Sequence, residues 1–212
     1  MRRVRQLRKL RTALNRRLSR LERRLASLTA TSTQQDRDMT VAYVAIEALN
    51  AWALFSRSFY LSCAIGAKTE RGKYVKINAV PDPLGLAITT FRRSATPNSA
   101  GVWHRRDEPA WHDPNVLLSV CANLGCSIQA EITASFSLQQ NVFNDLPVLR
   151  NFFAHRNEGT SRAARFLAPR YTLPSTLSPA ELLLAASPGA ATSIILAWLD
   201  EINITAQFMC EA

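Results

Sequence analysis

The sequence lacks a series of strand-like segments that could build a sheet, and it contains only seven glycines in 212 residues. The absence of strand-like segments excludes sheet-based folds. An apolar content of 47% with little glycine is ordinary for a helical globular protein. Acidic residues nowhere form the cluster that a catalytic metal needs, so we expect no metal and no cofactor. The length suffices for one well-buried domain, with little room for a second.

Cysteine is also scarce. Its four residues are scattered along the chain: Cys63, Cys121, Cys126 and Cys210. No signal peptide precedes them, so we expect reduced, buried thiols and a cytoplasmic location. One zinc site is conceivable, from His104, His112, Cys121 and Cys126, but the Cys-x4-Cys spacing within an apparent helix fits zinc poorly.

Long uninterrupted apolar runs are missing as well. The most apolar stretch, from Met39 to Ala67, contains Glu47 and Arg57 near its middle. Charges at such positions disfavour a transmembrane segment. We therefore predict no membrane span.

Acidic residues are nearly absent from the first 24 residues, which contain ten arginines, one lysine and a single acidic residue, Glu22. The net charge of +10 resides there, because basic and acidic residues balance in the remainder. We expect nucleic acid, an acidic partner helix or an acidic face of the same fold to neutralise this segment. Such an N-terminus is also typical of a mitochondrial transit peptide and of a helix lying on an anionic membrane.

The same basic segment repeats by sevens. Its apolar residues fall on two heptad positions: Leu7, Leu14, Leu21 and Leu28 on one, and Val4, Leu18 and Leu25 on the other. Arg11 interrupts the second series. Four heptads predict an amphipathic, coiled-coil-type helix that packs against another helix. We therefore divide the chain into a basic heptad-patterned helix with its linker, residues 1–34, and a helical bundle, residues 35–212.

The bundle is predicted to be all-α, with about four main helices. The first runs from about Asp38 to Ile65, and the second from Asp113 to about Val142. The third carries residues 145–159, and the last begins at Pro188.

Polar side chains interrupt the first of these helices. Glu47, Asn50 and Arg57 lie along one stripe, and a buried charge must be paired. They form either a salt bridge that fixes helix packing or a second layer that holds Arg150 or His155 in place.

Basic and aromatic residues interleave in the loop of residues 94–114. Trp103, Arg105 and Arg106 suit the stacking of RNA bases and contact with phosphates. A loop that only folds its tryptophans over the bundle is the simpler interpretation.

The third helix carries the strongest functional signal. Asn144 or Asp145 is predicted to cap it, Pro147 to lie in its first turn and Gly159 to end it.

Three polar residues of this helix form a candidate site. Asn151 and His155 are four apart and share a face, so the amide can orient the imidazole. Arg150 and His155 are five apart, about 140° around an ideal helix. They converge only if Arg150 reaches round or if a second chain completes the site. On spacing alone, a solvated arginine and histidine is the simpler interpretation.

Arg150-Asn151, three further residues and then His155 resemble the Arg-x4–6-His signature of the HEPN superfamily, with the polar residue that the family favours directly after Arg. The resemblance covers about residues 38–210. HEPN toxins silenced by a nucleotidyltransferase antitoxin carry Tyr two places after the His, and Asn157 stands there in this chain.

The resemblance implies an all-helical, dimeric, metal-independent ribonuclease of a toxin–antitoxin or anti-phage defence system, with a possible antitoxin or defence companion protein. It implies Arg150, Asn151 and His155 as the catalytic residues. Two alternatives remain. One is a catalytically silent HEPN-type subunit that serves dimerisation or binding, and the other is a scaffold built around the heptad helix.

The chemistry of RNA agrees with such a site. RNA carries its own nucleophile, the 2′-hydroxyl, so an imidazole that moves protons and a guanidinium that stabilises the phosphorane suffice without metal. The expected products are a 2′,3′-cyclic phosphate and a 5′-hydroxyl. The residues predicted to bind RNA are basic or aromatic: Arg2, Arg3, Arg5, Arg8, Lys9, Arg156, Trp103, Arg105 and Arg106.

Overall fold

The computed structural model describes residues 5–137 and 140–212, in which nine α-helices provide nearly all regular structure. The helices are α1 (Leu7–Ala26), α2 (Gln34–Ala64), α3 (Pro83–Phe91), α4 (Pro114–Asn123), α5 (Gln129–Ser135), α6 (Val142–His155), α7 (Glu158–Arg165), α8 (Pro179–Leu184) and α9 (Ile194–Glu211). Two short strands, β1 (Arg5–Gln6) and β2 (Ala67–Lys68), pair in parallel. Single 3-10 turns occupy Arg105–Asp107 and Ala168–Tyr171. The all-α prediction is confirmed.

The described chain divides into two compact units. Unit 1 comprises residues 5–14, 52–137 and 205–212, and unit 2 comprises residues 15–51 and 140–204. Helices α1, α2 and α9 each contribute residues to both units. α6, which carries the candidate site, belongs wholly to unit 2.

The heptad pattern of the basic segment forms α1, and its apolar seam is buried by the same chain. The seam residues within α1 are at most 8% exposed: Leu7, Leu14, Leu18, Leu21 and Leu25. Leu28, also predicted to belong to the seam, follows the end of α1 and is partly exposed. Arg11, which interrupts the seam, donates from Nη2 to Glu70 Oε2 across 2.8 Å. An acidic side chain of the same fold thus neutralises this arginine. Val4 lies outside the described residues.

Helix α2 begins within the stretch predicted to be a linker. Its first turn is capped reciprocally by Thr33 and Asp36. The Thr33 N–H donates to Asp36 Oδ2 (3.2 Å), and the Asp36 N–H donates to Thr33 Oγ1 (3.1 Å). This exchange satisfies two N–H groups that a helix start otherwise leaves free.

Helix α2 is long and apolar enough to cross a membrane by length and composition alone, and the absence of a membrane span stays a prediction. The mean hydropathy of an 18-residue window of this helix is 1.3. Of that window, 56% is buried inside the protein. A central bundle helix that is apolar nearly all round has the same composition.

The prediction of a single long helix between residues 113 and 142 is wrong. α4 ends at Asn123, and Gly125 then adopts a left-handed conformation with φ 65°. A Cβ atom at Gly125 would lie 2.5 Å from Nδ2 of Asn78, so the position requires glycine. The Asn78 N–H donates to the Leu124 carbonyl across 3.0 Å, which fixes the break. The helical spacing of apolar residues continues across this break, so the sequence pattern does not indicate it.

The start of α6 also differs from the prediction. The helix begins at Val142, so Asp145 is not a cap but an interior residue, and its side chain is fully buried. Pro147 lies inside the helix rather than in its first turn.

The end of α6 comes earlier than predicted. His155 is the last helical residue, because Arg156 adopts a left-handed conformation with φ 31°. Asn157 caps the next helix by accepting a hydrogen bond from the Thr160 N–H (2.9 Å). Gly159 therefore lies in the first turn of α7 and does not end α6.

The last helix starts later than predicted. α9 begins at Ile194, whereas Pro188 and Gly189 lie in the preceding connection. Gly189 has a φ of 82°, which is incompatible with a helix.

Candidate active site

The C-terminal part of α6 presents Arg150, Asn151 and His155 at the protein surface. Asn151 and His155 are exposed, and Arg150 is partly exposed. Nη1 of Arg150 donates to Oδ1 of Asn151 across 3.3 Å. Within the described residues, no hydrogen bond joins either side chain to His155. One chain therefore joins Arg150 and Asn151 by a hydrogen bond and joins neither to His155 in this way, which agrees with the separation of about 140° between Arg150 and His155 on an ideal helix.

The opposite face of α6 is apolar and buried. Leu146 and Leu149 are 2% and 0% exposed, and Phe153 is 8% exposed. The rings of Phe152 and Phe153 meet edge to face with centroids 5.2 Å apart. Burial of this face fixes the rotation of the helix, and that rotation directs the three polar side chains outward.

A buried polar network anchors the first turns of α6, and sequence reasoning missed it. Asp145 pairs with the guanidinium of Arg170, and its Oδ2 accepts a hydrogen bond from the Tyr171 hydroxyl (2.7 Å). Nε1 of Trp198 donates to the same hydroxyl across 3.2 Å. The network ties α6 to the 3-10 turn at residues 168–171 and to α9. Through these contacts it holds the helix that presents the candidate site.

The carboxyl groups of this region have shifted pKa values. Burial raises the pKa of Asp145, although the Tyr171 hydroxyl and the Arg170 guanidinium oppose the shift. Burial also raises the pKa of Glu201, which accepts a hydrogen bond from the Val142 N–H (3.1 Å). A raised pKa means that the folded protein binds the proton more tightly than the unfolded chain does. The contribution of these groups to stability is therefore fully present at low pH and is lost as the pH rises through the folded-state pKa.

We expect Asp145→Asn to remove part of this pH dependence, because the amide still accepts a hydrogen bond but does not ionise. The stability of the wild type relative to this variant should be highest near about pH 4 and should decline toward about pH 7. Urea unfolding at several pH values measures the difference.

A matched control for this experiment is Asp36→Asn. The hydrogen bonds of Thr33 lower the pKa of the exposed Asp36 carboxyl, so its contribution is lost as the pH falls. The two variants should thus show opposite trends with pH. A difference between wild type and Asp145→Asn that stays constant with pH would contradict the effect of burial.

The hydrogen bonds found for the three residues considered as a second layer go to partners outside the candidate site. Arg57 pairs with Glu108 through two hydrogen bonds, of 2.5 Å and 3.0 Å, and thereby fixes the 3-10 turn at residues 105–107 against α2. Nδ2 of Asn50 donates to Oε1 of Glu47 across 3.1 Å. The structure thus favours the packing interpretation for Arg57.

The residues predicted to bind RNA are dispersed. Arg5, Arg8 and Lys9 are exposed on β1 and α1 in unit 1, and Arg2 and Arg3 lie outside the described residues.

The aromatic loop also belongs to unit 1. Arg105 and Arg106 are exposed, whereas Trp103 is partly buried and donates from Nε1 to Asp82 Oδ2 (2.7 Å). Trp111 is 7% exposed. The burial of Trp111 and the partial burial of Trp103 agree with the simpler interpretation, and RNA binding by this loop stays a prediction. Arg156, in contrast, is exposed beside His155 in unit 2.

The cysteines are buried, as predicted. Hydrogen bonds to Cys126 and burial raise the pKa of Cys63 and Cys121, which keeps these thiols protonated. In residues 5–137 and 140–212, no group of three or more His, Cys, Asp or Glu side chains is placed to hold a metal ion.

Comparisons with protein-family models, curated proteins and solved structures find no match to this chain. Its function is therefore inferred from the site and from the sequence motif that the site carries.

Proposed function

We propose that the protein is a HEPN-like, metal-independent endoribonuclease whose active site uses Arg150, Asn151 and His155. The observation that supports this most directly is the exposure of these side chains at one end of a helix that is fixed by a buried apolar face and a buried polar network. Within the described residues, no carboxylate pairs with Arg150. Its guanidinium is therefore available to a phosphate.

In the proposed reaction, His155 accepts the proton of the RNA 2′-hydroxyl. The 2′-oxygen forms a bond to phosphorus, the bond from phosphorus to the 5′-oxygen breaks, and that oxygen takes up a proton. Arg150 donates two parallel hydrogen bonds to the phosphorane, a geometry that suits a planar guanidinium. Asn151, which already contacts Arg150, orients that guanidinium or binds a phosphate oxygen.

We further propose that the active form is a homodimer. Arg150 and His155 are about 140° apart around an ideal helix, and a two-fold axis near the end of α6 would place Arg150 of one chain beside His155 of the other. The axis would generate two such sites, each with one imidazole that accepts the 2′-hydroxyl proton and returns a proton to the leaving 5′-oxygen. The exposed basic residues of β1 and α1 would also bind RNA. We propose that the protein acts in the cytoplasm, where an antitoxin or defence companion would control its activity.

The experiment is incubation of the purified protein with RNA in excess EDTA, followed by analysis of the ends. Cleavage should continue and should give 2′,3′-cyclic phosphate and 5′-hydroxyl termini. Loss of cleavage on adding EDTA, or 5′-phosphate termini, would contradict the proposal.

The alternative is a catalytically silent HEPN-type binding subunit. The separation of Arg150 from His155 within one chain favours it if the protein proves to be monomeric. It predicts RNA or partner binding without cleavage and no effect of expression on host growth, whereas an active ribonuclease should slow growth.

A further inference from the structure

A cavity of about 270 Å³ lies between α1 and α2 within unit 2. Its lining comes from α1 and α2: Arg17, Arg20, Leu21, Tyr43, Glu47 and Ala51. Leu21 and Ala51 are 5% and 4% exposed and form an apolar floor. The volume is close to the lower limit of about 300 Å³ for small-molecule sites, so it suits one nucleotide and not a folded polymer.

The two arginines of this cavity are available for a ligand. Arg17 and Arg20 are three apart, so both reach the same side of α1. Both are exposed, and within the described residues neither forms an ion pair, even with the carboxylate of Glu47 in the same cavity. Two unpaired guanidiniums beside an apolar floor are suited to a phosphate group.

The opposite wall combines an aromatic ring with an acid. Tyr43 and Glu47 are four apart on α2 and share a face. The side chain of Tyr43 is 54% exposed, although it lies in the most apolar part of the sequence. An exposed ring beside cationic groups can stack on a base. Within the part of the chain that the structure describes, Oε1 of Glu47 accepts a hydrogen bond from Asn50 alone, so the carboxylate can also accept hydrogen bonds from the N–H groups of a base.

We propose that this cavity binds one nucleotide of a single-stranded RNA, with Arg17 and Arg20 on the phosphate, Tyr43 stacked on the base and Glu47 on its Watson–Crick edge. Guanine suits the carboxylate best, because it presents two neighbouring N–H donors there. The inference depends on the proposed function for its substrate class, but it concerns binding and not the cleavage chemistry.

The experiment uses the full chain carrying His155→Ala, so that cleavage does not disturb the measurement. Fluorescence anisotropy measures the binding of a labelled single-stranded RNA in EDTA. In this background Tyr43→Ala should weaken binding roughly tenfold, whereas Tyr43→Phe, which keeps the ring, should leave it nearly unchanged. Both changes are at a side chain that is 54% exposed, and melting curves show whether the fold is intact.

The charge on α1 needs a matched control. Arg17→Gln with Arg20→Gln removes the two guanidiniums of the cavity, and Arg16→Gln with Arg24→Gln removes two exposed ones elsewhere on the same helix. The first pair should weaken binding about tenfold or more and reduce the salt slope by roughly 0.7 for each phosphate that is no longer neutralised. The second pair should have a much smaller effect. Equal effects of the two pairs, together with no effect of Tyr43→Ala, would overturn the inference.

Free nucleotides identify the ligand. Guanosine monophosphate should compete for the cavity better than uridine monophosphate, and Glu47→Gln should reduce that preference. Competition by inorganic phosphate at the same concentration as guanosine monophosphate would show a simple anion site and would also overturn the inference.

The outcomes separate this inference from the proposed catalysis. If wild type cleaves RNA while the variants of the cavity bind it normally, only the inference fails. If binding depends on the cavity and wild type does not cleave, the inference stands and the catalytic proposal fails.

Discussion

Replacing His155 with alanine should lower the rate of EDTA-resistant RNA cleavage by about 10²–10⁴-fold, because the reaction loses its proton-transfer group. Arg150→Ala should cost about 10²–10³-fold, the effect of removing one group that stabilises charge in the transition state. Both side chains lie on the outer side of α6, so circular dichroism should show an unchanged helix content. His104→Ala, an exposed histidine in another loop, is the control and should retain activity. Cleavage that survives both active-site changes would refute the assignment.

Mixing the two inactive variants tests whether the site is shared. In a mixed dimer, the chain with Arg150→Ala supplies an intact His155, and the chain with His155→Ala supplies an intact Arg150. One of the two sites is then complete. Random assortment should restore roughly a quarter of the wild-type activity, as follows from two-fold symmetry. If each chain holds its own complete site, mixing restores nothing.

Replacing Arg170 with alanine should reduce the free energy of unfolding by about 3 kcal/mol, because it leaves the carboxylate of Asp145 buried without its cation. The value is at the lower end for a broken buried pair, since the Arg170 side chain is 51% exposed while that of Asp145 is fully buried. The loss should shrink at low pH, where Asp145 takes up a proton. Urea unfolding followed by circular dichroism provides the measurement.

The control for this prediction is Arg162→Ala. Arg162 pairs with Glu158 one turn away on α7, and both side chains are largely exposed, at 67% and 86%. Exposed pairs of this kind contribute at most about 0.5 kcal/mol. Equal losses for the two arginines would mean that the Asp145 network does not anchor α6.

The sequence predicts most helices because their apolar spacing is local information. It does not predict the role of Asp145, whose partners, Arg170 and Tyr171, follow 25 and 26 residues later in the chain. Within its own segment, an Asp two residues before a proline indicates a helix start. Gly125 is a similar case, since the break in the helix that it marks is bridged by a hydrogen bond from the distant Asn78 N–H to the Leu124 carbonyl.

The same difference between local and distant information applies to the functional residues. Arg150, Asn151 and His155 are visible in the sequence because they lie within one short motif. The cavity between α1 and α2 cannot be recognised from the sequence. Its arginines belong to a longer basic segment, and Tyr43 lies within an apolar segment. Only packing shows that Tyr43 faces solvent beside Arg17 and Arg20.

Unit 1 is built from three separated segments of the chain, and this affects how the protein folds during synthesis on the ribosome. Its last segment, residues 205–212, is translated after every residue of unit 2. This segment contributes the buried Cys210, whose carbonyl accepts a hydrogen bond from the Glu70 N–H (2.8 Å) and whose thiol donates to the Leu7 carbonyl (3.6 Å). The nascent chain therefore cannot complete unit 1 first, although its first residues emerge first. Translation proceeds at about 5–20 residues per second, so roughly ten seconds or more pass between synthesis of the early segments and synthesis of residues 205–212. During this time the apolar side chains of the early segments lack their partners, and chaperones should bind them.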